Sequence, residues 1–281
     1  MRRLAAALAV LTLAAGGSPI NAQARQQDHG PMRFVRYEHQ GRTAYGALQE
    51  GRIQEIDGDL FGRHRATDRW LELSDVKLLP PTPAKKVIAV GLNYQSHLGE
   101  RKPAEYPGLF AKYPTSLVGH GDDVIQPPDS KNLHYEGEMV LVIGKTCSNV
   151  TEAEALTCVF GITAGNDLSE RDWQSADLQW FRAKGSDTFG PVGPAIAWGV
   201  DPDDVLVETR VNGEVRQHER TADLIFGTAE IVSYVSRYVT LEAGDLIFTG
   251  TPQTTQALQP GDVVEVEVEG VGVLRNTVRR R

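Results

Sequence analysis

Glu136-Gly137-Glu138 stands immediately before the apolar run Met139-Val140-Leu141-Val142-Ile143. Side chains on a strand alternate with period 2, so the two carboxylates point to one face. Held that close they repel, and one takes up a proton unless a cation neutralises them. A third acid, Asp167, follows Ile162-Thr163-Ala164-Gly165-Asn166, which reads as a short strand ending in a polar turn. Two strand-end carboxylates and one loop carboxylate make an all-oxygen donor set. Such a set favours a hard ion, Mg²⁺ or Mn²⁺ with Ca²⁺ as a further option, over zinc, and leaves positions open for water or reactant. Plainer readings of the same residues stand beside this one: solvated acids at an exposed strand end, and Asp167 as a helix N-cap before Leu168.

Two further groups could act on a reactant. In Asn93-Tyr94-Gln95-Ser96-His97-Leu98-Gly99-Glu100, one helical turn would put His97 and Glu100 on one face at i, i+3. A carboxylate beside an imidazole orients the ring and suits it to act as a general base on water; a surface ion pair is the alternative. Lys184 lies in a stretch from Arg182 to Pro194 so rich in glycine and proline that a fixed loop is expected. There it could hold a carboxylate or an enolate oxygen as a compact cation, or simply face water. Arg171, Asp172 and Gln174 form a dense polar cluster just after Asp167.

The elements that must position these groups are mostly strands. Val87-Ile88-Ala89-Val90 reads as a buried strand stopped by Gly91, and Met139 to Ile143 as another stopped by Gly144. Val264, Val266 and Val268 alternate with Glu265, Glu267 and Glu269, the mark of a strand with one wet face. Gly244-Asp245 and Gly261-Asp262 each precede an apolar strand. Two helices are expected. One begins at a capping box of Thr151 and Glu154, with Leu156, Val159 and Phe160 as its apolar stripe; the other carries Ile231, Val235 and Tyr238. Asn149-Val150-Thr151 is formally a glycosylation sequon, but the cap explains its threonine. The sum is a mixed, β-rich α+β fold.

Domain organisation follows from the breaks. Arg2 and Arg3, the apolar run Leu4 to Ala15, and Ala22-Gln23-Ala24 follow the order of a secretory signal, so residues 1–24 are expected to be removed on export to a bacterial periplasm or the exterior. Residues 25–83 are expected as a small N-terminal β domain, with short strands broken by Gly41, Gly51 and Gly58 and a stiff Pro-rich linker at 79–83. Residues 84–281 are then expected as the main domain, the one that carries the candidate chemistry. With Lys+Arg 29 against Asp+Glu 37, the chain is acidic, which excludes an electrostatic nucleic-acid binder, and after signal removal nothing suggests a membrane partner. Two cysteines exclude a disulfide-built scaffold. Cys147 and Cys158 could pair in an oxidising compartment, but nothing in the sequence fixes the separation a bond needs, and two separate thiols are expected.

Five motifs occur in one order: Asn93-Tyr94-x-x-His97-x-x-Glu100, Glu136-x-Glu138, Gly165-Asn166-Asp167 with Arg171-Asp172-x-Gln174, Lys184-Gly185-x-Asp187-Thr188-Phe189, and Phe248-Thr249-Gly250-Thr251-Pro252. From about Lys86 to Val278 the chain resembles the fumarylacetoacetate hydrolase family. The resemblance implies a β roll or barrel, usually a homodimer, with one Mg²⁺, Mn²⁺ or Ca²⁺ held by Glu136, Glu138 and Asp167. It implies a water-activating dyad of His97 and Glu100 on a short lid, with Arg171, Gln174 and Lys184 orienting the substrate and Thr251 helping to hold its carboxylate. The implied activity is hydrolysis of a C–C bond in a 1,3-dicarbonyl or 2-oxo acid, such as an acylpyruvate or fumarylpyruvate, through a metal-stabilised enolate, with Lys184 steadying the oxyanion. Oxaloacetate decarboxylation and 2-hydroxy-dienoate isomerisation use the same chemistry and stay open. A secreted dicarboxylate-binding protein without catalysis would need no base, and His97, Glu100 and Lys184 argue against it. Two departures from the family stand out: Gln253-Thr254-Thr255-Gln256 where glycine is common after the Gly-Thr-Pro turn, and a signal peptide where most members are intracellular.

Overall fold

Apolar runs with no polar alternation bury both faces, and Gly137–Ile143 does so over its whole length. Met139, Leu141 and Ile143 enter one hydrophobic core, Val140 and Val142 another on the opposite face of the sheet. In the computed structural model, which describes residues 31–281, this strand lies inside a 12-stranded sheet. The main path runs His64–Glu72, Arg52–Gly58, Arg42–Gln49, Met32–His39, Gly190–Trp198, Val159–Asn166, Gly137–Ile143, Leu246–Phe248, Val87–Gly91 and Gly108–Lys112. The last three pairings matter for the site. Leu246–Phe248 runs antiparallel to Gly137–Ile143 and parallel to Val87–Gly91, so the exits of two strands and the start of a third meet at one end of the sheet.

A 5-stranded sheet, Glu214–Arg220, Leu206–Val211, Val263–Val268, Gly272–Arg280 and Asp123–Gln126, covers the other core. The alternating Val/Glu segment is its middle strand, with Val264, Val266 and Val268 buried as period 2 requires. Gly244 and Gly261 adopt positive φ before their strands. The expected mixed β-rich α+β class is the one that forms, and no helix among the described residues is long and apolar enough to cross a membrane.

Residues 1–24, read as a signal peptide, lie outside the described residues. The strands Met32–His39, Arg42–Gln49 and Arg52–Gly58 match the expected short strands, and His64–Glu72 extends them. Met32–His39 pairs with Gly190–Trp198, and Phe34, Ile56 and Leu60 share a core with Val140 and Phe248. The 79–83 segment is pinned: Leu79 N donates to the Arg36 carbonyl at 2.9 Å and the buried Thr82 hydroxyl to that of Gly244 at 2.6 Å.

Three local expectations are corrected. The capping box of Thr151 and Glu154 forms, but its helix ends at Ala155; Val159 and Phe160 open the next strand, and Leu156 stays partly exposed. β-branched Val159 and aromatic Phe160 suit a pleated surface better than a helix turn. The later helix, Thr228–Ser236, buries Ile231 and Val235 but ends before Tyr238. Cys147 and Cys158 are disulfide-bonded, not separate thiols. Cys147 lies opposite Leu241 and Cys158 ends a 3₁₀ turn, which sets their Cα atoms 6.2 Å apart, within bonding range.

Candidate active site and metal centre

The three acids converge. Glu136 immediately precedes Gly137–Ile143, and Asp167 leaves Val159–Asn166, the strand paired with it. Asp167 N donates to the Glu136 carbonyl at 2.8 Å and Glu136 N to Asn166 Oδ1 at 2.9 Å, so the two strand ends are tied at the point where the acids emerge. Carboxylate oxygens of Glu136, Glu138 and Asp167 lie within 4.8 Å of one another, and all three residues are buried. Gly137 between them faces the second sheet, where an added Cβ would stand 1.9 Å from Thr209 Oγ1, so the spacer must be glycine. The N-cap reading of Asp167 is set aside, because a short strand, Ser169–Glu170, follows it.

Buried acids need compensation. The Lys184 ammonium lies 2.6 Å from Glu136 Oε2 and 2.7 Å from Asp167 Oδ2, and Arg171 lies 2.5 Å from Glu136 Oε1. Lys112, which the sequence reading did not single out, is as buried as Lys184 and places its ammonium 2.5 Å from Asp167 Oδ1, donating also to the Lys184 carbonyl. Burial alone would raise the Glu136 carboxyl, but Lys184, Arg171 and His97 outweigh it and hold the group well below the usual carboxylate range. Burial likewise opposes the charge on Lys184, yet Asp167 and Glu136 prevail and raise it. For Lys112 burial wins and the ammonium is pulled down.

Glu138 is the exception. Its Oε2 accepts from Gly250 N at 2.7 Å, and its other oxygen has no bonded partner among the described residues. Burial, then the Asp167 and Glu136 charges, push its carboxyl well above the ordinary range. Gly250 can approach because it adopts φ +111, and a Cβ there would meet Asn93 Cβ at 2.7 Å. Asn93 in turn donates to the Phe226 and Thr249 carbonyls at 3.1 and 2.8 Å and accepts from Phe226 N, which fixes the Gly-Thr-Pro turn against the segment that leads to His97. A buried acid with a free oxygen, facing two more acids, completes an all-oxygen donor set. A divalent ion fits these residues by the chemistry of that set.

A cavity of about 500 Å³ opens on this cluster. His97, Glu136, Glu138, Arg171, Gln174, Lys184 and Thr251 all line it, and Asp167 joins them through the acid cluster and Lys184, so the structure brings together every site residue expected from the sequence except Glu100. Arg171 donates to Gln174 Oε1 at 2.8 Å and to Thr255 Oγ1 at 2.9 Å. The Thr251 hydroxyl donates to the Gly137 carbonyl at 2.9 Å and accepts from the Gln217 amide at 2.8 Å. Lys184 belongs to a short helix, Phe181–Gly185, and Gly190–Trp198 is a strand, where a loop was expected throughout. Pro194 enters that strand where its ladder is irregular, between Gly193 opposite Ala164 and Ala197 opposite Ile162.

His97 and Glu100 do not share a helical face. The helix spans only Gln95–Leu98, because Gly99 turns away at φ 67, and Glu100 is exposed with no bonded partner among the described residues. The Gln253 carbonyl takes the partner's place. It bonds His97 Nδ1, and since a carbonyl only accepts, Nδ1 carries the hydrogen. Nε2 is left facing the acids, 3.9 Å from Glu136 Oε1. Gln253 N donates to Ser96 Oγ at 3.0 Å, and that hydroxyl donates to Glu219 at 2.6 Å. The departure from family pattern at 253–256 therefore anchors the segment that carries His97, and Thr254 and Thr255 line the cavity. His134 is a further lining residue the sequence did not signal. It bonds Thr255 and Asn132, each at 2.9 Å, and burial lowers its tendency to protonate, with Arg171 adding to the effect.

Known proteins share this plan. Residues 86–279 match the model of the fumarylacetoacetate hydrolase C-terminal domain, and residues 32–81 match an Rv2993c-like N-terminal model. A Mycobacterium marinum structure described as 2-hydroxyhepta-2,4-diene-1,7-dioate isomerase is 41% identical with a TM-score of 0.84, over 89% of this chain and 99% of that one. Rattus norvegicus mitochondrial oxaloacetate tautomerase Fahd2a is 39% identical over 88% of this chain and 80% of its own. Bacillus subtilis oxaloacetate tautomerase YisK is 38% identical over 79% and 84%. With a buried acid triad reached from the same ordered motifs and a family model covering more than half its length, the chain belongs to the fumarylacetoacetate hydrolase family.

Proposed function

We propose that this chain is a divalent-metal-dependent enzyme that moves a proton on a 2-oxo acid, interconverting its keto and enol forms, with an oxaloacetate-like acid as substrate. The observation that carries the reading is His97, whose Nδ1 is bonded to the Gln253 carbonyl and whose Nε2 faces the acid cluster, with no Glu100 beside it to complete a water-activating pair. The relatives named oxaloacetate tautomerase and the one described as a dienoate isomerase support it.

Glu136, Glu138 and Asp167 would hold Mg²⁺ or Mn²⁺, with Ca²⁺ as the alternative. When bound, such an ion polarises a 2-oxo group as a Lewis acid. The chain's own residues do the rest. Arg171, Gln174 and Thr251 hold the substrate carboxylate. His97 Nε2 accepts the proton leaving C3 as the C2–C3 bond becomes double, and the protonated ring then gives that proton to the C2 oxygen; return runs the same path. Lys184, fixed by two acids, sets positive charge beside the oxygen that becomes negative.

Hydrolytic C–C cleavage is the second reading, favoured by a cavity of about 500 Å³ that has room for a water beside His97. A panel of enol-oxaloacetate, an acylpyruvate, fumarylpyruvate and a 2-hydroxymuconate-type acid, assayed with Mg²⁺ and Mn²⁺, separates the two. Proton exchange at C3 without carboxylic acid release supports the first. Stoichiometric release of a second acid from the acylpyruvate would replace it with the other.

Export and dimer formation are part of the proposal. The Cys147–Cys158 bond suits an oxidising compartment, in line with residues 1–24 as a signal. Leu178 and Phe181 are 95% and 65% exposed, and Phe181 packs edge-on against the exposed Tyr113, apolar surface that a second copy would cover.

A further inference from the structure

The cavity carries one positive charge that the acid cluster does not balance. Lys184 is paired with Glu136 and Asp167, and Arg171 with Glu136. Arg101 also lines the cavity, just beyond the Gln95–Leu98 helix. Its Nε donates to the Leu98 carbonyl at 3.0 Å, and it forms no ion pair among the described residues. A guanidinium has five N–H donors, so four remain unused on a full charge. Along the same cavity, Val90, Leu92 and Trp180 supply an apolar wall, and Leu92 and Trp180 continue into an adjoining groove with Leu109 and Phe110. The cavity is thus polar at the acid cluster, apolar along one wall, and cationic at Arg101.

We propose that Arg101 recognises a second carboxylate at the far end of a linear 2-oxo diacid, whose carbon chain lies along Leu92 and Trp180. The proposal rests on the reading of this cavity as a 2-oxo acid site. Arg101 presents a planar fork suited to bidentate carboxylate binding. It follows His97 by four residues, so the group that reads the far end and the group that moves the proton ride on one segment. A diacid draws that segment onto the cavity; a monoacid of the same length leaves the guanidinium without its partner.

The test measures Kd by calorimetry on the Mg²⁺-loaded full chain for 2-oxoglutarate and for its distal monomethyl ester, in the wild type, Arg101→Ala and Arg101→Lys. The wild type should bind the diacid about 10- to 100-fold more tightly than the ester, the span of a charged hydrogen bond. Arg101→Ala should collapse that ratio to within about threefold, and Arg101→Lys should keep part of it. Equal wild-type affinities, a ratio preserved in Arg101→Ala, or no binding of either ligand would overturn the proposal. Turnover is read separately. A ratio that collapses in Arg101→Ala, in a protein that moves no C3 proton on any acid, leaves the recognition intact and removes the catalytic reading. Proton transfer with no diacid preference does the reverse.

Discussion

The acid cluster and the segment that carries His97 meet in one cavity but are held in different ways. Glu136, Glu138 and Asp167 emerge from strands paired along their length, with every residue of Gly137–Ile143 buried. His97 sits on a four-residue helix held mainly by side-chain and loop bonds: Asn93 to the Phe226 and Thr249 carbonyls, Ser96 to Glu219, and Gln253 to Ser96 and His97. Ladder pairing and full burial give rigidity, whereas a few polar bonds at a half-exposed segment open at low free energy. Charge is fixed where strands pair and bury, and His97, the proposed proton-moving group, sits on the less tightly held segment.

The contrast is sharpened most by removing His97. His97→Ala should lower turnover about 10²- to 10⁴-fold, the range for a positioned acid–base group, while divalent-ion affinity stays nearly intact. Single-turnover rates and calorimetry on the same preparation check both halves; unchanged turnover defeats the assignment. On the rigid side, Lys112→Met leaves Asp167 Oδ1 without its buried cation. Breaking such a pair costs about 3–5 kcal/mol, read from urea unfolding, and added Mg²⁺ should recover part of it.

Acidity gives a third test. Glu138 has a raised carboxyl, so its contribution to stability is complete below the unfolded value and is lost as pH rises through the folded one. Glu136, with a lowered carboxyl, has the opposite sign: its contribution is present above the unfolded value and lost as pH falls through the folded one. Metal-free protein should therefore lose the Glu138 contribution toward neutral pH, and the rise in Tm on adding Mg²⁺ should grow with pH across that window. A Mg²⁺ effect that shrinks as pH rises contradicts the cluster's role. The smallest effect belongs to the anchor of the segment that carries His97. Ser96→Ala removes one bridge between Gln253 and Glu219, worth about 0.5–1.5 kcal/mol, and should raise KM about two- to tenfold with ion affinity unmoved.

Legibility in the sequence followed the same divide. The triad was readable because strand period and burial are local: Glu-x-Glu before an apolar run, and Asp167 at a strand exit, fix three side chains with little outside help. Lys112 gave no such signal, since a lysine closing Gly108–Lys112 looks like any strand-end cation until Asp167 arrives from 55 residues away. The His97–Glu100 pairing failed because the i, i+3 argument assumed a helix longer than Gly99 allows. In the sequence Gln253 is only an irregularity after the Gly-Thr-Pro turn; a backbone carbonyl leaves no mark in side-chain identity. The disulfide was hidden for a similar reason, as the 3₁₀ turn that ends at Cys158 sets its distance from Cys147.

The most direct measurement titrates metal-free protein with Mn²⁺, followed by calorimetry in buffers of different ionisation heat, for the wild type and for Glu138→Gln. One ion should bind per chain with release of a proton from Glu138, and the substitution should weaken binding beyond the ~10–100-fold typical of outer-shell partners and abolish the proton release. A wild type that binds no ion, or a Glu138→Gln protein that binds it as well as the wild type, would contradict the account.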